Sequence, residues 1–335
     1  MMKNKVIAVD AGKAETKVVA IGEETKVVRD HFPTAIGNSG DGRVDLLDNV
    51  HTFSSKTLGS IGKEVKIGCD ELPIKADDDY SKDADINRIC TLYGIAKNVV
   101  PGETVNVVVG CPLSIYKEKD KRMEYGQNIV PNGKIECVVD GKPIEFSVDK
   151  RLVCAESTGI LTMHPELFSK KDYDAAIIDM GGLNMNITAI NNSNVITETS
   201  HTSRHGGRML CRQIQRHLMD HGLDIEDTQI LSSIMRGSIN HRDPEKKEES
   251  VVIINQAVGS FIDEIERTLR NSWLNLDTLE LFFIGGTSYL LKDFLAERFG
   301  EHAHFEKDFE TSRYANAEGF ARKMYQKLAE GSGTK

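Results

Sequence analysis

The chain has 335 residues, 39% of them hydrophobic and 28% charged, with a formal net charge of −9 at pH 7. That length predicts about two domains with ample material for a core. The acidic balance excludes a surface that attracts nucleic acid as a whole, and no apolar run approaches the ~20 residues of a membrane span, so a cytoplasmic protein is expected.

In chain order, Met1–Lys5 runs straight into a strand-like segment and does not read as a signal peptide. Val6–Val9 and Lys17–Ile21 are apolar runs around a polar turn, the pattern of a β-hairpin. Gly37–Gly68, rich in Gly, Asp, Ser and Asn, reads as a loop-rich insertion outside the core. Asp77–Asp79 precede a helix expected over Lys82–Asn98, with Ile86, Ile89, Leu92, Tyr93 and Ala96 on one face. Thr104–Val109 is a buried-type strand ended by Gly110–Pro112, and a charged helix over Ser114–Asn128 follows. Ile135–Val139 and Ile144–Val148 flank Asp140-Gly141, a hairpin signal. Leu152–Cys154 reads as a further short strand, ahead of Glu156 and the apolar stretch Gly159–Met163.

A second hairpin places Ala175–Ile178 and Ile187–Ile190 around Asp179–Asn186. It repeats the design of the first and predicts two similar domains. Helices are expected at Gly207–His221 and Asp227–Met235, then a solvated loop over the charge run Arg242–Glu249. A long helix, Val251–Leu274, has Ile254, Val258, Phe261, Ile262, Ile265, Leu269 and Trp273 on one side. The strand Leu279–Ile284, the pair Gly285-Gly286, a helix to Phe299 ended by Gly300 and a helix over Tyr314–Leu328 complete the pattern. Gly331–Lys335 reads as a flexible tail. Cys69, Cys90, Cys111, Cys137, Cys154 and Cys211 make no C-x-x-C pair and no zinc spacing, so buried reduced thiols are expected.

Four motifs bear chemistry. In Asp10-Ala11-Gly12-Lys13-Ala14-Glu15-Thr16-Lys17, a tight glycine turn aims backbone N–H groups into a concavity suited to phosphate. Lys17 would add a point charge, and Asp10 would hold Mg²⁺ through water. Asp179-Met180-Gly181-Gly182-Leu183-Asn184-Met185-Asn186 repeats the device. Phe282-Phe283-Ile284-Gly285-Gly286-Thr287-Ser288 is a strand-to-helix turn whose backbone can approach a purine. Glu156 follows a strand and could position an attacking water. Each alone is also what an ordinary surface turn or solvated glutamate looks like; the ordered set is more specific.

In this order the motifs resemble the actin, sugar-kinase and heat-shock chaperone superfamily. Asp10–Lys17 and Ile177–Gly182 resemble its two phosphate loops, Ile284–Thr287 its adenosine motif, and Ala315-Asn316-Ala317-Glu318-Gly319 its second connecting segment. Val107–Tyr116 and Phe146–Gly159 resemble the plasmid-segregating ParM branch. The resemblance implies an α/β fold of two lobes, with duplicated mixed-sheet, ribonuclease-H-like domains around a nucleotide cleft. The first domain would be 1–170, with a small insertion at about 33–80 and the returning helix 314–330; the second would be 171–313.

The resemblance also implies roles. Asp10 and Asp179 would organise Mg²⁺ and, with Glu156, form the catalytic set. Gly12, Lys13, Lys17, Gly181, Gly182 and Asn184 would meet the phosphates. Gly285, Gly286 and Thr287 would line the adenosine pocket, and Gly206, Gly207 and Arg208 the ribose and base. Lys13 stands where a small hydroxyl residue is usual, and Asn184 and Asn186 replace Thr and Asp. The implied activity is ATP hydrolysis, with GTP the alternative nucleotide, coupled to a polar filament of the chain itself. An adaptor on plasmid centromere DNA would hold the filament, with no membrane involved. Two other readings stay open: a non-polymerising small-molecule kinase of this fold, and a nucleotide-binding scaffold of the cell-division or pilus-assembly type.

Overall fold

The computed structural model describes residues 5–22, 25–39, 47–76, 84–170, 173–192, 194–272 and 274–332. Asp77–Asp79, Trp273 and the last three residues of the expected tail lie outside the described residues. The chain forms two compact units, Met1–Pro165 with Tyr314–Lys335, and Glu166–Arg313.

Unit 1 opens with β1 (Val6–Ala11), β2 (Glu15–Ile21) and β3 (Val27–Pro33), followed by β4 (Ala35–Asn38), β5 (His51–Ser55), β6 (Val65–Ile67) and β7 (Ile74–Lys75). Then come α1 (Asp85–Lys97), β8 (Thr104–Cys111), α2 (Leu113–Tyr116), α3 (Lys119–Ile129), β9 (Gly133–Val139), β10 (Lys142–Ala155) and α4 (Gly159–Met163). The ten strands form one sheet in the order β3-β2-β1-β8-β10-β9-β5-β6-β4-β7. β1, β8 and β10 run parallel, and β1–β2 and β2–β3 are antiparallel.

From α5 (Pro165–Phe168) the chain enters unit 2: β11 (Asp174–Met180), β12 (Met185–Asn191), β13 (Asn194–Ser203), α6 (Gly207–Asp220), α7 (Asp227–Arg236) and α8 (Pro244–Asn271). β14 (Glu280–Ile284), α9 (Gly286–Leu290), α10 (Lys292–Phe299) and β15 (Ala303–Phe305) follow, and α11 (Phe309–Ser332) carries the chain back into unit 1. The sheet order is β13-β12-β11-β14-β15, with β11, β14 and β15 parallel and β11–β12 and β12–β13 antiparallel. Strand for strand this is β3-β2-β1-β8-β10 of unit 1, so the mixed sheet is duplicated.

Period-2 alternation divides each buried strand between two faces. In β1, Ile7 and Val9 pack with Ile89, Leu92 and Ile95 of α1, while Val6 and Ala8 pack with Tyr314, Ala317 and Phe320 of α11. Unit 2 has its own core, with Ile178 and Phe283 of the sheet among Leu210, Ile214, Phe261 and Ile265.

Several elements differ from expectation. The 37–68 segment is not outside the core: it adds β4, β5 and β6 to the sheet and buries Phe53, Leu58 and Ile67. Its strands are too short to show a period. β8 runs on through Cys111, and the helix expected at 114–128 is broken into α2 and α3. Leu152–Cys154 is the far half of β10, separated from its near half by a bulge between Val148 and Arg151. The charge run at 242–249 enters α8: Asp243 caps it by accepting from the Glu245 N–H at 3.0 Å, and Pro244 occupies the first turn. Its exposure, not its conformation, gave it the look of a loop. Gly331 and Ser332 continue α11. All six cysteines are free, five of them buried and Cys211 half-buried, and burial pushes the Cys90 thiol up to about 12.

Candidate functional site

In unit 1, Asp10 lies at the end of β1 and is only 6% exposed. Register sets Asp10 opposite Lys17 and Lys17 opposite His31. Directly opposed residues of antiparallel strands share a face, so a carboxylate, an ammonium and an imidazole stand in one row. The turn beyond Asp10 is tied to the body of the unit. The Gly12 N–H donates to the Asp10 carbonyl at 3.0 Å, the Thr34 hydroxyl to the Gly12 carbonyl at 2.6 Å, and the Asn87 amide to the Ala11 carbonyl at 3.1 Å. The Thr34 N–H donates to the Ala14 carbonyl at 3.0 Å. Donors of the scaffold thus occupy the carbonyls of Ala11, Gly12 and Ala14, which holds the loop in one shape.

Glu156 leaves the end of β10, its N–H donating to the Cys111 carbonyl at 2.9 Å. The next residue, Ser157, is fully buried and left-handed, with φ 64°. A non-glycine residue in that region costs about 1–3 kcal/mol and persists only where its surroundings enforce it. Here they do: Thr158 turns back on the Ala155 carbonyl through its hydroxyl at 2.6 Å, and Gly159 lies in backbone contact with α11. A Cβ on Gly159 would stand 2.5 Å from the Ala315 carbonyl, and one on Gly319 would strike Gly159. Gly110 shows where the two acids meet: a Cβ there would lie 3.6 Å from Asp10 Oδ1 and 3.9 Å from Glu156 Cγ. Elsewhere in unit 1 Glu318, buried on α11, accepts from Arg29 Nε at 3.0 Å and Arg322 Nε at 3.0 Å. Burial pushes its carboxyl up, but the two guanidinium groups outweigh that and hold it below the usual carboxylate range.

In unit 2 three glycine segments meet by backbone contact. The turn after β11 closes with the Gly181 N–H donating to the Asn184 carbonyl at 2.9 Å. The first N–H groups of α6 cap onto that turn, Gly207 to Gly181 at 3.0 Å and Arg208 to Gly182 at 2.7 Å. The Thr287 hydroxyl of α9 donates to Gly181 at 3.0 Å. Gly285 is left-handed (φ 91°), and a Cβ on it would lie 2.5 Å from the Met180 carbonyl and 3.0 Å from Asp179 Oδ1. Ser312 fixes it from both sides, accepting from its N–H at 3.0 Å and donating to its carbonyl at 3.1 Å. Gly206 lies against the Leu183 backbone with no room for a side chain. Asp179 pairs with Asn186, whose side-chain oxygen accepts from the Thr202 hydroxyl at 2.7 Å.

The expected residues therefore gather by unit. Asp10, Gly12, Lys17 and Glu156 share the strand ends of unit 1, with Lys13 at the turn. Asp179, Gly181, Gly182, Asn184, Gly206, Gly207, Gly285 and Thr287 form one linked group in unit 2, with Gly286 beside Phe309. The N–H groups of Gly207 and Arg208 are spent on the turn, so the exposed Arg208 side chain is what this helix start offers a ligand. Sequence reasoning missed Thr34, Asn87, Gly110 and Ser312, which hold the loops rather than form them. It also missed Phe309, whose half-exposed ring lies 3.5 Å from the place of a Gly286 Cβ. Among the described residues no group of three or more His, Cys, Asp or Glu is arranged to hold a metal. Asp10 in unit 1 and Asp179 in unit 2 are each a single carboxylate near a strand end, a donor chemistry suited to Mg²⁺ held mainly through water. No described helix is long and apolar enough to cross a membrane.

Residues 8–159 match the family described as actin-like proteins, N-terminal domain. Comparison with curated protein sequences finds no match. Among solved structures, the Alp12 filament is 26% identical and aligns over 97% of this chain and 99% of its own, with a TM-score of 0.69. The apo pSK41 ParM protein is 19% identical over 98% and 99% of the two chains, with a TM-score of 0.69. The ADP complex of Ta0583, an archaeal actin homologue, is 17% identical over 96% and 99%, with a TM-score of 0.69. With its duplicated sheets and paired Asp–Gly hairpins, the chain has the actin-like fold, and its residues 8–159 are similar to the actin-like N-terminal domain.

Proposed function

We propose that the chain is an ATPase of the ParM kind, whose nucleotide-dependent filaments segregate plasmid DNA. The observation that carries the reading is the pair of Asp–Gly hairpins, each rooted in the same order of five strands and each locked by its own unit. Likeness to the Alp12 filament over nearly the full length supports self-assembly, and likeness to an ADP-bound homologue supports adenine nucleotide over guanine.

In this reading Gly12, Lys13 and Lys17 of unit 1 and Gly181, Gly182 and Asn184 of unit 2 bind the phosphates. Gly285, Gly286, Thr287 and Arg208 receive the nucleoside. Asp10 and Asp179 are the residues that would hold Mg²⁺ through water, and the ion would supply positive charge to the phosphates. Lys17 adds a further charge from the same face as Asp10. Glu156 orients the attacking water and accepts its proton; its fixed turn makes it a preorganised base. Bound nucleotide would favour a subunit form whose unlike surfaces add head to tail without closing. An adaptor protein on centromere DNA would couple the filament to its cargo, consistent with the acidic chain.

High-speed sedimentation with light scattering, run with phosphate release, tests the reading. ATP–Mg²⁺ should make the wild type pellet and then decay, and Glu156→Ala should pellet stably. Phosphate release with no pelleting at any concentration would leave the fold and overturn the filament; a phosphorylated small molecule would identify a kinase.

A further inference from the structure

Unit 2 carries two stripes of unlike charge that no described residue neutralises by an ion pair. On α6, Arg208, Arg212 and Arg216 recur every fourth residue and are all exposed. None has a salt bridge or side-chain hydrogen bond among the described residues. Asp293 and Glu297 are one turn apart on α10, and Glu301 lies in the short turn that follows; these too are exposed and unpaired among the described residues. The arginine stripe is about 12 Å long at 1.5 Å per residue, and Asp293 to Glu297 covers about 6 Å of α10.

Helix physics does not account for them. Like charges at i, i+4 destabilise a helix. An arginine in the first turn opposes the macrodipole, and α6 has no acidic residue there to offset it. Other charges of the unit do find partners: Arg298, on the same helix as Glu297, bridges Asp263 at 2.6 Å and Glu266 at 2.8 Å, and Arg270 bridges Glu266 at 2.9 Å. The stripes also stand apart. α6 follows the edge strand β13, α10 leads into the opposite edge strand β15, and α8 packs against both.

We infer that the arginine stripe of α6 docks the acidic stripe of α10 on a second copy of this chain. Arginine against arginine would repel, so each stripe needs the unlike stripe of a second copy. Used one way between copies, the plus-to-minus contact is heterologous, and it builds an open filament where the rotation between copies does not close. Complementary charge of this kind sets register and on-rate. The inference rests on the filament reading above and supplies one of its contacts.

The test uses Arg212→Glu/Arg216→Glu and Asp293→Arg/Glu297→Arg, leaving Arg208 intact because it stands beside the nucleotide loops. Each variant alone should raise the critical concentration for ATP-dependent pelleting by about tenfold or more, with nucleotide binding by the monomer unchanged. A 1:1 mixture should assemble again, since the reversed α6 of one variant meets the reversed α10 of the other. Unchanged assembly of either variant, or failure of the mixture while both bind nucleotide, overturns the contact alone. Unchanged assembly with lost binding of a DNA duplex probe would reassign the arginines to nucleic acid. A wild type that binds nucleotide and never pellets overturns the filament reading and this contact together.

Discussion

The two units share a sheet and use it differently. In unit 1 the row across the first three strands is Asp10, Lys17, His31; in unit 2 the corresponding row is Asp179, Asn186, Thr202. One row is charged, the other is neutral beyond its aspartate. The turns differ in the same sense. Side chains of the scaffold, Thr34 and Asn87, hold the first, whereas backbone N–H groups of α6 and the Thr287 hydroxyl hold the second. The third parallel strand departs most. β10 ends in the left-handed Ser157 beside Glu156, while β15 passes to the buried Glu306 without a residue of positive φ. Duplication supplied two platforms, and local chemistry made one charged and the other neutral and closely packed by backbone.

The sharpest way to break this comparison is to remove each strand-end glutamate. Glu156→Gln should lower phosphate release by about 10²–10⁴-fold with ATP affinity retained, and Glu306→Gln should change turnover by less than about tenfold. Equal losses would mean that the units divide the chemistry evenly.

Next in size is the buried carboxylate pairing of unit 1. Glu318→Gln should cost about 3 kcal/mol of unfolding free energy, because it leaves Arg29 and Arg322 without their buried carboxylate. The sign with pH follows from the lowered carboxyl. Its stabilisation is complete above the unfolded value of 4.5 and is lost as pH falls through the lower folded value. Chemical denaturation from pH 7 downward should therefore show a smaller acid-side decline in the variant than in the wild type.

Gly285→Ala should cost about 2 kcal/mol or more, from strain at positive φ and collision with Met180. Gly102→Ala, also left-handed (φ 82°) but with open space around it, isolates the strain and should cost about 1 kcal/mol. Thermal melts of the pair separate crowding from conformation. Thr34→Val should cost about 1 kcal/mol by removing the hydroxyl that holds Gly12; its effect on nucleotide affinity, read by titration, should exceed that of Thr202→Val in the other unit. Smallest is Asn186→Asp, which gives unit 2 a second carboxylate and should raise Mg²⁺ affinity a few-fold in the presence of nucleotide.

Motifs that act through their own backbone were legible from the chain. The two Asp–Gly hairpins, the Gly285-Gly286 turn and the amphipathic faces of α1 and α8 announce themselves because their spacing is local and their periods run over several turns. The short strands β4 to β7 did not, since a two- to five-residue strand has too little period to detect and is made a strand by its neighbour's hydrogen bonds. The start of α8 was hidden for a related reason: seven exposed charged residues around Pro244 look alike in a loop and in a helix, and the cap at Asp243 tells them apart.

The sequence by itself determined the residue types at the site, their order, and the repetition that predicts two like domains. Tertiary structure alone decided which of them touch. Gly206 and Leu183, Gly285 and Ser312, Gly159 and Gly319, Glu318 and Arg29 are far apart along the chain, and their contacts depend on how sheets and helices pack. Spacing encodes only what lies within a few residues. A glycine's need to be glycine, or a glutamate's pair of arginines, is set by atoms that the fold brings from elsewhere.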